Sequence, residues 1–336
     1  MSGSGFSVVI PAHNALPDVL DAVQSALGQT LPPDEIIVVD DGSTDRTGDA
    51  VEERFGDRVR VLRGTFGSAA AARNAGWRTS RAPWVALLDA DDLWFPTKLE
   101  TAREVLERHP RAVWFFSDGA FRELDGTLRP SWFEMYAEMP ETYFGQPVAQ
   151  LVEVNFILTS SLVVRREAVE TLGGFDESMS HAEDLDLWIR LARRWPAAAT
   201  RRSLIRYQHR PGGLTRQTEA RLQGDITLFE RLAADATLDP DVRRRARHRV
   251  AMAHYKFGWG ELRERRGGSA RRHLRAAWMF PERALPVAAA WAASLLPDGV
   301  YDLLRKNRIA KYGVAAPMVR PKRVVLQSLP VEGGAT

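Results

Sequence analysis

Apolar, β-branched runs alternate with helical stretches through the first third of the chain. The runs predict five strands, at Phe6–Ile10, Glu35–Val39, Val59–Leu62, Trp84–Leu88 and Val113–Ser117. Some of these strands are almost wholly apolar, which is expected where helices cover both faces of a parallel sheet. The alternation therefore predicts an α/β fold in which helices flank a Rossmann-like, mostly parallel central sheet.

Polar residues mark the expected starts of the intervening helices. Asn14 is a candidate cap for a helix over Leu16–Leu27, and Ser43 or Thr44 for a helix that ends near Phe55. Two more helices are predicted, over about residues 68–78 and 96–109.

The pattern changes near Glu219, where strand signals fade and helices rich in Arg, Ala and Leu begin. The segment Arg243–Leu274, with its Gly267–Gly268 turn, predicts an antiparallel helix pair. We predict an α/β domain over 1–218, a basic α-helical C-terminal region over 219–326 and a disordered tail over 327–336.

Composition limits the class of protein. Hydrophobic residues make up 45% and charged residues 26%, as in soluble globular proteins with a large core. The absence of cysteine excludes disulfides and thiolate metal sites and favours a reducing compartment. The longest apolar stretch, Ala284–Leu296, is shorter than the roughly 20 residues of a membrane-spanning helix. We expect a cytoplasmic protein, either free or peripheral at the inner face of the membrane.

Charge is distributed unevenly along the chain. Residues 201–336 carry 27 Lys and Arg against 12 Asp and Glu, whereas residues 1–200 carry 19 against 31. An acidic region suits a cation site, and a basic region suits an anionic surface or partner. We expect the basic region to lie against an anionic membrane, or to pack on the α/β domain or on the second subunit of a homodimer. We expect no nucleic-acid partner.

Polar clusters follow three predicted strands, at Pro11–Asn14, Asp40–Asp45 and Asp89–Asp92. Because parallel strands end on the same side of a sheet, the clusters should share one edge, where ligands of such sheets bind. The last cluster, here named the acidic turn, holds three carboxylates that repel one another unless a cation is bound. Oxygen ligands suit Mn²⁺ or Mg²⁺, which usually combine one or two carboxylates with substrate phosphates. The sequence therefore predicts such a metal site.

Six segments resemble, in order and spacing, the signatures of family 2 glycosyltransferases. They are VVIPAHN (8–14), IIVVDDGSTDRT (36–47), AAARNAG (70–76), LLDADDLW (87–94), GGFDE (173–177) and EDLDLWIRLARR (183–194). The resemblance implies a GT-A fold and an inverting transfer from a nucleotide-diphosphate sugar, with UDP-sugars favoured, to a hydroxyl acceptor. That acceptor is a saccharide, a lipid-linked compound or a small molecule, in cell-surface polysaccharide or glycoconjugate synthesis. The Q-x-x-R-W motif and transmembrane helices of processive members are missing, which implies addition of a single sugar.

The resemblance also implies roles at the donor site. Pro11, Ala12 and His13 stand where the family's first loop contacts the nucleobase. Asp41 matches an acid that accepts a hydrogen bond from the base, and Arg73 matches a basic residue near the base and phosphates.

Metal ligands are implied at the acidic turn. Asp92 corresponds to the direct ligand and Asp91 to the acid near ribose and metal, with Asp89 as an outer candidate. His209 lies on a segment whose counterpart in related enzymes carries a histidine that approaches the metal or diphosphate; a surface loop position is the alternative. Trp132 is a candidate for stacking on an acceptor sugar.

The implied general base lies at the start of the amphipathic helix 183–194. A sugar hydroxyl must lose its proton as it attacks, and the base must approach it to about 2.6–3.2 Å. The resemblance assigns this role to Asp184, with Glu183 as the second candidate, while Asp186 is expected on the helix face. Carboxylates also stabilise the first turn of any helix, so a structural role is the alternative.

Two other functions fit parts of the pattern. A catalytically inactive protein of the same fold would bind a nucleotide sugar or act as a scaffold, although this chain keeps Asp91, Asp92 and Asp184 together. A sugar-phosphate nucleotidyltransferase has a related architecture. It carries a glycine-rich N-terminal loop followed by a basic residue, which VVIPAHN does not provide.

Overall fold

One mixed β-sheet organises the first part of the chain. The computed structural model describes residues 5–122, 127–208, 218–264, 266–278, 284–295 and 323–330. The strands are β1 (Phe6–Ala12), β2 (Glu35–Asp41), β3 (Arg60–Gly64), β4 (Trp84–Leu87), β5 (Leu93–Trp94), β6 (Trp114–Arg122), β7 (Leu128–Arg129), β8 (Ala137–Glu138), β9 (Thr142–Gly145), β10 (Val163–Arg165), β11 (Ala197–Gln208) and β12 (Val324–Val325). The helices are α1 (Asp18–Leu27), α2 (Thr47–Phe55), α3 (Ala69–Thr79), α4 (Lys98–Arg108), α5 (Phe133–Tyr136), α6 (Val148–Glu153), α7 (Arg166–Thr171), α8 (Glu183–Arg194), α9 (Thr218–Ala234), α10 (Pro240–Arg263), α11 (Gly267–Ala277) and α12 (Ala284–Ala293). Short 3₁₀ turns lie at Gly56–Arg58 and Thr159–Ser161.

The sheet combines a parallel half with a mixed half. Its order is β3-β2-β1-β4-β10-β6-β11-β5, with β7 paired to β6 and β9 to β11. Neighbouring strands from β3 to β4 are parallel. Strand β10 enters antiparallel between β4 and β6, and β11 runs parallel to β6. All five predicted strands are present and the predicted α/β fold is confirmed, whereas the antiparallel β10 lies outside the predicted pattern.

Helices cover both faces of the parallel half. Alternate residues of β1, such as Val8 and Ile10, join one hydrophobic cluster with Val19 and Val23 of α1. On the other face, a Cβ added at Gly76 of α3 would lie only 2.3 Å from Val9. This close packing on both faces explains why β1 is largely apolar, and it holds β1, and so the residues that follow it, in one position.

The predicted helix caps are wrong. Helix α1 takes no side-chain cap from Asn14, and α2 begins at Thr47 rather than directly after Ser43 or Thr44. The carboxylate of Asp45 instead accepts hydrogen bonds from N and Oγ1 of Thr47 at 2.9 and 2.6 Å. The predicted caps Ser43 and Thr44 bond instead to Asn14 in the loop after β1.

The chain divides into two compact units. One contains Met1–Gly213 with Arg323–Thr336, and the other contains Leu214–Lys322. In the second unit α10 and α11 form the predicted helix pair, with the rings of Phe257 and His273 stacked at 4.0 Å between centroids. The predicted helical C-terminal region is confirmed. Among the described helices, none has both the length and the apolar character needed to cross a bilayer.

The segment at residues 323–330 differs from the predicted boundaries. Strand β12 pairs in parallel with β8, and Leu326 N donates to the Glu138 carbonyl at 2.8 Å. Val324 and Leu326 are buried because alternating apolar residues give the segment one apolar face. These residues therefore belong to the first unit, although 327–330 were expected in a disordered tail. Residues 331–336 lie outside the described part of the chain.

Candidate active site

The loop after β1 is tied to the loop after β2. Asn14 has a left-handed backbone (φ 48°), and its Oδ1 accepts from Thr44 N at 2.8 Å while its N donates to Ser43 Oγ at 2.9 Å. His13 Nδ1 donates to the Asp41 carbonyl at 2.6 Å, and its Nε2 accepts from Asn14 Nδ2 at 3.1 Å. These partners assign the neutral Nδ1–H tautomer to His13. The exposed imidazole is thereby held beside the end of β2.

The Asp41 carboxylate holds the loop that follows β3. Its Oδ1 accepts hydrogen bonds from the N–H groups of Phe66 and Gly67, the latter at 2.9 Å. Pro11 is half-buried and Ala12 is buried, so His13 is the most exposed of the three predicted loop residues. The structure brings all four predicted nucleobase residues to one edge of the sheet, and Asp41 also has a structural task there.

The acidic turn follows β4, and its carboxylates differ in burial and in hydrogen-bond partners. Asp92 is 1% exposed; its Oδ2 accepts from Ser160 Oγ at 2.5 Å and its Oδ1 from Gln208 N at 3.1 Å. Asp91 is half-buried. Burial, then repulsion from Asp89, raises the pKa of Asp91 to about 6. Burial and the charges of both neighbours raise the pKa of Asp92 well above its usual value. A bound cation would reduce the repulsion among the carboxylates of the turn.

Arg73 of α3 links the acidic turn to α8. The guanidinium is buried and donates to Asp89 Oδ1 at 2.8 Å and to Glu183 Oε1 at 2.9 Å. Burial lowers the pKa of Arg73, but the charges of these two carboxylates outweigh burial and raise it. Arg73 thus reaches a carboxylate that lies 110 positions further along the sequence. Glu183 serves as its counter-ion, which makes Asp184 the better candidate for a base.

Asp184 lies in the first turn of α8 and is half-buried. Its Oδ2 accepts from Asn155 Nδ2 at 3.3 Å and from Thr159 Oγ1 at 3.5 Å. Burial, then the charge of Glu183, raises the pKa of Asp184 to about 6. Such a carboxylate is ionised at pH 7 and is a stronger base than an exposed one. Ala182, just before it, has a left-handed backbone (φ 63°), a strained conformation that is often found at functional sites.

The 3₁₀ turn at Thr159–Ser161 is a part of the site that the sequence motifs do not include. Ser160 is fully buried, and its Oγ both donates to Asp92 and accepts from Asp89 N at 3.0 Å. Since the neighbouring threonine reaches Asp184, this turn connects the acidic turn to the candidate base. The available signal is the hydroxyl triplet within the apolar segment FILTSSLVV, because buried hydroxyls require specific partners.

A buried lysine braces the same turn. Lys98 is fully buried, and its Nζ donates to the Ser161 carbonyl at 2.8 Å. The Nζ also lies 4.8 Å from the ring centroid of Phe115. Burial lowers the pKa of Lys98 to about 7. The backbone of the turn is therefore held from α4 while the hydroxyls of Thr159 and Ser160 face the carboxylates.

Two sets of contacts fix the position of α8. Asn74 of α3 is fully buried and bonds both N and O of Phe175 at 2.9 Å. Gly174 has φ 83°, and a Cβ there would lie 2.4 Å from Asn74 Oδ1, so only glycine fits. Asp186 pairs with Arg190 at 2.6 Å within α8, and Arg190 Nη2 donates to the Gly174 carbonyl at 2.8 Å. The GGFDE segment therefore positions the helix that carries Asp184.

The carboxylates fit a metal ion only if a ligand completes the site. The described residues contain no group of three Asp, Glu, His or Cys side chains arranged to hold a metal. Asp91 is half-buried, whereas Asp92 is enclosed by protein hydrogen-bond donors. One or two carboxylates with phosphate oxygens are the usual ligands of Mg²⁺ and Mn²⁺. His209, the third predicted ligand, lies outside the described residues.

Comparison with known proteins gives family and fold. The profile described as "Glycosyl transferase family 2" matches residues 7–173, and "Glycosyltransferase like family 2" matches residues 143–240. An uncharacterized glycosyltransferase of Haemophilus influenzae is 29% identical over 194 residues, covering 55% of this chain and 61% of that protein. The Escherichia coli UDP-Glc:alpha-D-GlcNAc-diphosphoundecaprenol beta-1,3-glucosyltransferase WfaP is 28% identical over 186 residues, covering 55% of this chain and 69% of WfaP. The chain matches about three fifths of the length of the first such relatives.

Solved structures agree on the fold. Staphylococcus aureus TarS 1–349 in complex with UDP-GlcNAc superposes with a TM-score of 0.61 at 18% identity, covering 91% of this chain and 89% of that one. The Pyrobaculum calidifontis mannosyltransferase PcManGT, in complex with GDP-Man and Mn²⁺, has a TM-score of 0.57 at 21% identity, covering 92% and 83%. The two profiles together span more than half of the chain, and the GT-A fold is present. The chain belongs to glycosyltransferase family 2.

Proposed function

We propose that the protein is a metal-dependent, inverting glycosyltransferase that moves a single sugar from a nucleotide-diphosphate sugar to a hydroxyl acceptor. One observation carries this proposal. Arg73 and the turn at Thr159–Ser161 each connect the acidic turn to the start of α8, so a candidate cation site and a candidate base share one site. Inverting transfer needs both groups, one for the leaving diphosphate and one for the incoming hydroxyl.

In this mechanism different side chains bind the donor, hold the cation and take the proton. His13 and Asp41 receive the nucleobase at the ends of β1 and β2. Asp91 would hold a divalent cation together with the donor phosphates. Asp92, which the family resemblance makes the direct ligand, is buried and hydrogen-bonded, so we propose that it supports the shape of the turn instead. When bound, the cation neutralises the charge of the leaving diphosphate. Asp184 takes the acceptor's hydroxyl proton as the oxygen bonds to the anomeric carbon and the bond to the diphosphate breaks, so the configuration inverts.

Names of related proteins support particular substrates. WfaP uses UDP-Glc, and TarS binds UDP and UDP-GlcNAc, which favours a UDP-sugar. PcManGT binds GDP-Man with Mn²⁺, which supports a Mn²⁺ or Mg²⁺ cofactor. GDP-sugars are therefore included among the donors to test. WfaP acts on a diphosphoundecaprenol-linked sugar, so we propose a lipid-linked saccharide as the first acceptor to test.

A thermal-unfolding screen of UDP-, dTDP- and GDP-sugars, with Mn²⁺ or EDTA, tests donor binding. We expect a UDP-sugar to stabilise the protein with Mn²⁺ and much less with EDTA. A ligand at 100 times its Kd contributes about 2.7 kcal/mol. Asp91→Asn should lose the part of the donor-induced stabilisation that depends on Mn²⁺. Asp57→Asn is the matched control, because Asp57 is exposed and precedes β3 at the opposite edge of the sheet. Stabilisation by no nucleotide sugar would contradict the proposal.

Ser160→Ala should weaken donor binding and stability together. The change removes a donor to Asp92 and leaves the Asp89 N–H without its acceptor, at a cost of about 1–3 kcal/mol in unfolding free energy. Urea unfolding and Mn²⁺-dependent donor titration measure both effects. Ser161→Ala is the matched control, since Ser161 Oγ donates only to the Leu158 carbonyl at 2.7 Å among the described contacts. Equal loss of donor affinity in the two variants would exclude a specific role for Ser160.

A further inference from the structure

Helix α12 exposes an apolar face. Val287 and Ala290 are fully buried in a cluster with residues of α10 and α11. On the outer side Trp291 is 37% exposed and Leu295 57% exposed, and Ala292 between them is exposed as well. Residues 284–296 contain no charged side chain. An outer helix face without charge is unusual for a surface that only meets water.

The neighbouring helix presents arginines on its outer face. Arg272 and Arg275 of α11 are exposed, and Trp278 at its end is 49% exposed. Arg271 donates to the Ser294 carbonyl at 3.0 Å, which joins the middle of α11 to the residue that follows α12.

Both helices rest on α10 through the same cluster. The cluster contains Ala270, Leu274 and Ala277 of α11, Val287 and Ala290 of α12, and Tyr255 and Leu262 of α10. Both inner faces meet α10, and the bond from Arg271 to Ser294 holds the two helices side by side, so we treat their outer faces as one surface. We name it the α11–α12 surface: Arg272, Arg275, Trp278, Trp291, Ala292 and Leu295.

This combination fits the interface of an anionic bilayer. Apolar side chains enter the boundary of the acyl chains, tryptophan rings prefer the headgroup level, and arginines meet anionic headgroups. A second copy of the chain fits less well, because a two-fold contact through this surface would bring the arginines of both copies together. We propose that the α11–α12 surface docks the protein on an anionic lipid bilayer. This inference does not depend on the proposed catalytic function.

Flotation of the full-length protein with vesicles tests the proposal. We expect binding to vesicles of 70% phosphatidylcholine and 30% phosphatidylglycerol, weaker binding as salt rises, and little binding to pure phosphatidylcholine. Two double variants, Trp291→Glu with Leu295→Glu and Arg272→Glu with Arg275→Glu, should each lower the partition coefficient at least about tenfold. Leu128→Glu is the matched control, since Leu128 is 54% exposed in the other unit.

Circular dichroism establishes that the variants fold, and donor-induced stabilisation should be the same in all of them. Unchanged vesicle binding in both double variants would overturn the proposal. So would a wild-type protein that does not float with anionic vesicles. A dimer in light scattering that Trp291→Glu with Leu295→Glu converts to a monomer would assign the surface to self-association instead.

Discussion

Asp184→Asn is expected to reduce sugar transfer by about 10²–10⁴-fold while leaving donor binding almost unchanged. The amide keeps the shape of the side chain, and its oxygen can keep the contacts with Asn155 and Thr159, but its NH2 group then replaces the oxygen that accepts from Leu185 N. It also cannot accept the hydroxyl proton. Rates of nucleoside diphosphate release and donor affinity, measured on the same preparation, separate the two effects. Asp186→Asn is the matched control on the same helix, because Asp186 pairs with Arg190.

The pH dependence of transfer follows from the same carboxylate. Burial and the charge of Glu183 raise the pKa of Asp184 to about 6, so the rate should fall as pH drops below that value. The stability of the fold changes in the opposite direction, because it falls as pH rises. The folded pKa lies above the unfolded value near 3.9, so ionised Asp184 destabilises the fold above about pH 6 and has no such effect below about pH 4. Asp184→Asn lacks this ionisation penalty, so its stability relative to wild type should rise between about pH 4 and pH 7, while transfer stays about 10²–10⁴-fold slower. A fully active variant whose stability relative to wild type does not change with pH would contradict the assignment of the base.

Arg73→Met is expected to cost about 3–5 kcal/mol in unfolding free energy. Removing the guanidinium leaves Asp89 and Glu183 partly buried without their shared cation. Adding Asp89→Asn and Glu183→Gln to Arg73→Met should recover most of the loss, because the unpaired charges are then gone. Urea unfolding of the single, double and triple variants measures this coupling.

Arg78→Met is the matched control for Arg73. It lies one turn further along α3 and pairs with Glu177 at 3.3 Å, but both side chains are about half exposed. Exposed pairs contribute less than about 1 kcal/mol. Similar losses for Arg73→Met and Arg78→Met would show that Arg73 is not the link between the acidic turn and α8.

The sequence predicts the parallel half of the sheet and its polar edge well, because local periodicity determines both. Short apolar runs give β1 to β4, and the clusters at Pro11–Asn14, Asp40–Asp45 and Asp89–Asp92 follow from where these strands end. The motif at 183–194 gives α8 and its first-turn carboxylates. Each feature is encoded within about ten consecutive residues.

Long-range contacts are the part that the sequence does not reveal. Whether Glu183 or Asp184 is tied to a cation depends on Arg73, more than 100 residues away, and the exposure of Asp91 relative to Asp92 depends on Ser160 and β11. Strand β10 enters between β4 and β6 from a region without clear periodicity. The predicted helix caps are wrong for a similar reason. Asn14 accepts a hydrogen bond from Thr44 because the loops after β1 and β2 meet in space.

The most direct test of a shared metal and base site is release of nucleoside diphosphate from a UDP-sugar, followed for wild type, Asp91→Asn and Asp184→Asn with Mn²⁺ or EDTA. We predict that wild type binds donor much more tightly with Mn²⁺ than with EDTA, and that it releases the nucleotide only with Mn²⁺. Asp91→Asn should lose both donor binding and nucleotide release. Asp184→Asn should keep Mn²⁺-dependent donor binding and lose nucleotide release. Full activity of Asp184→Asn, or donor binding by Asp91→Asn equal to that of wild type, would contradict a shared metal and base site.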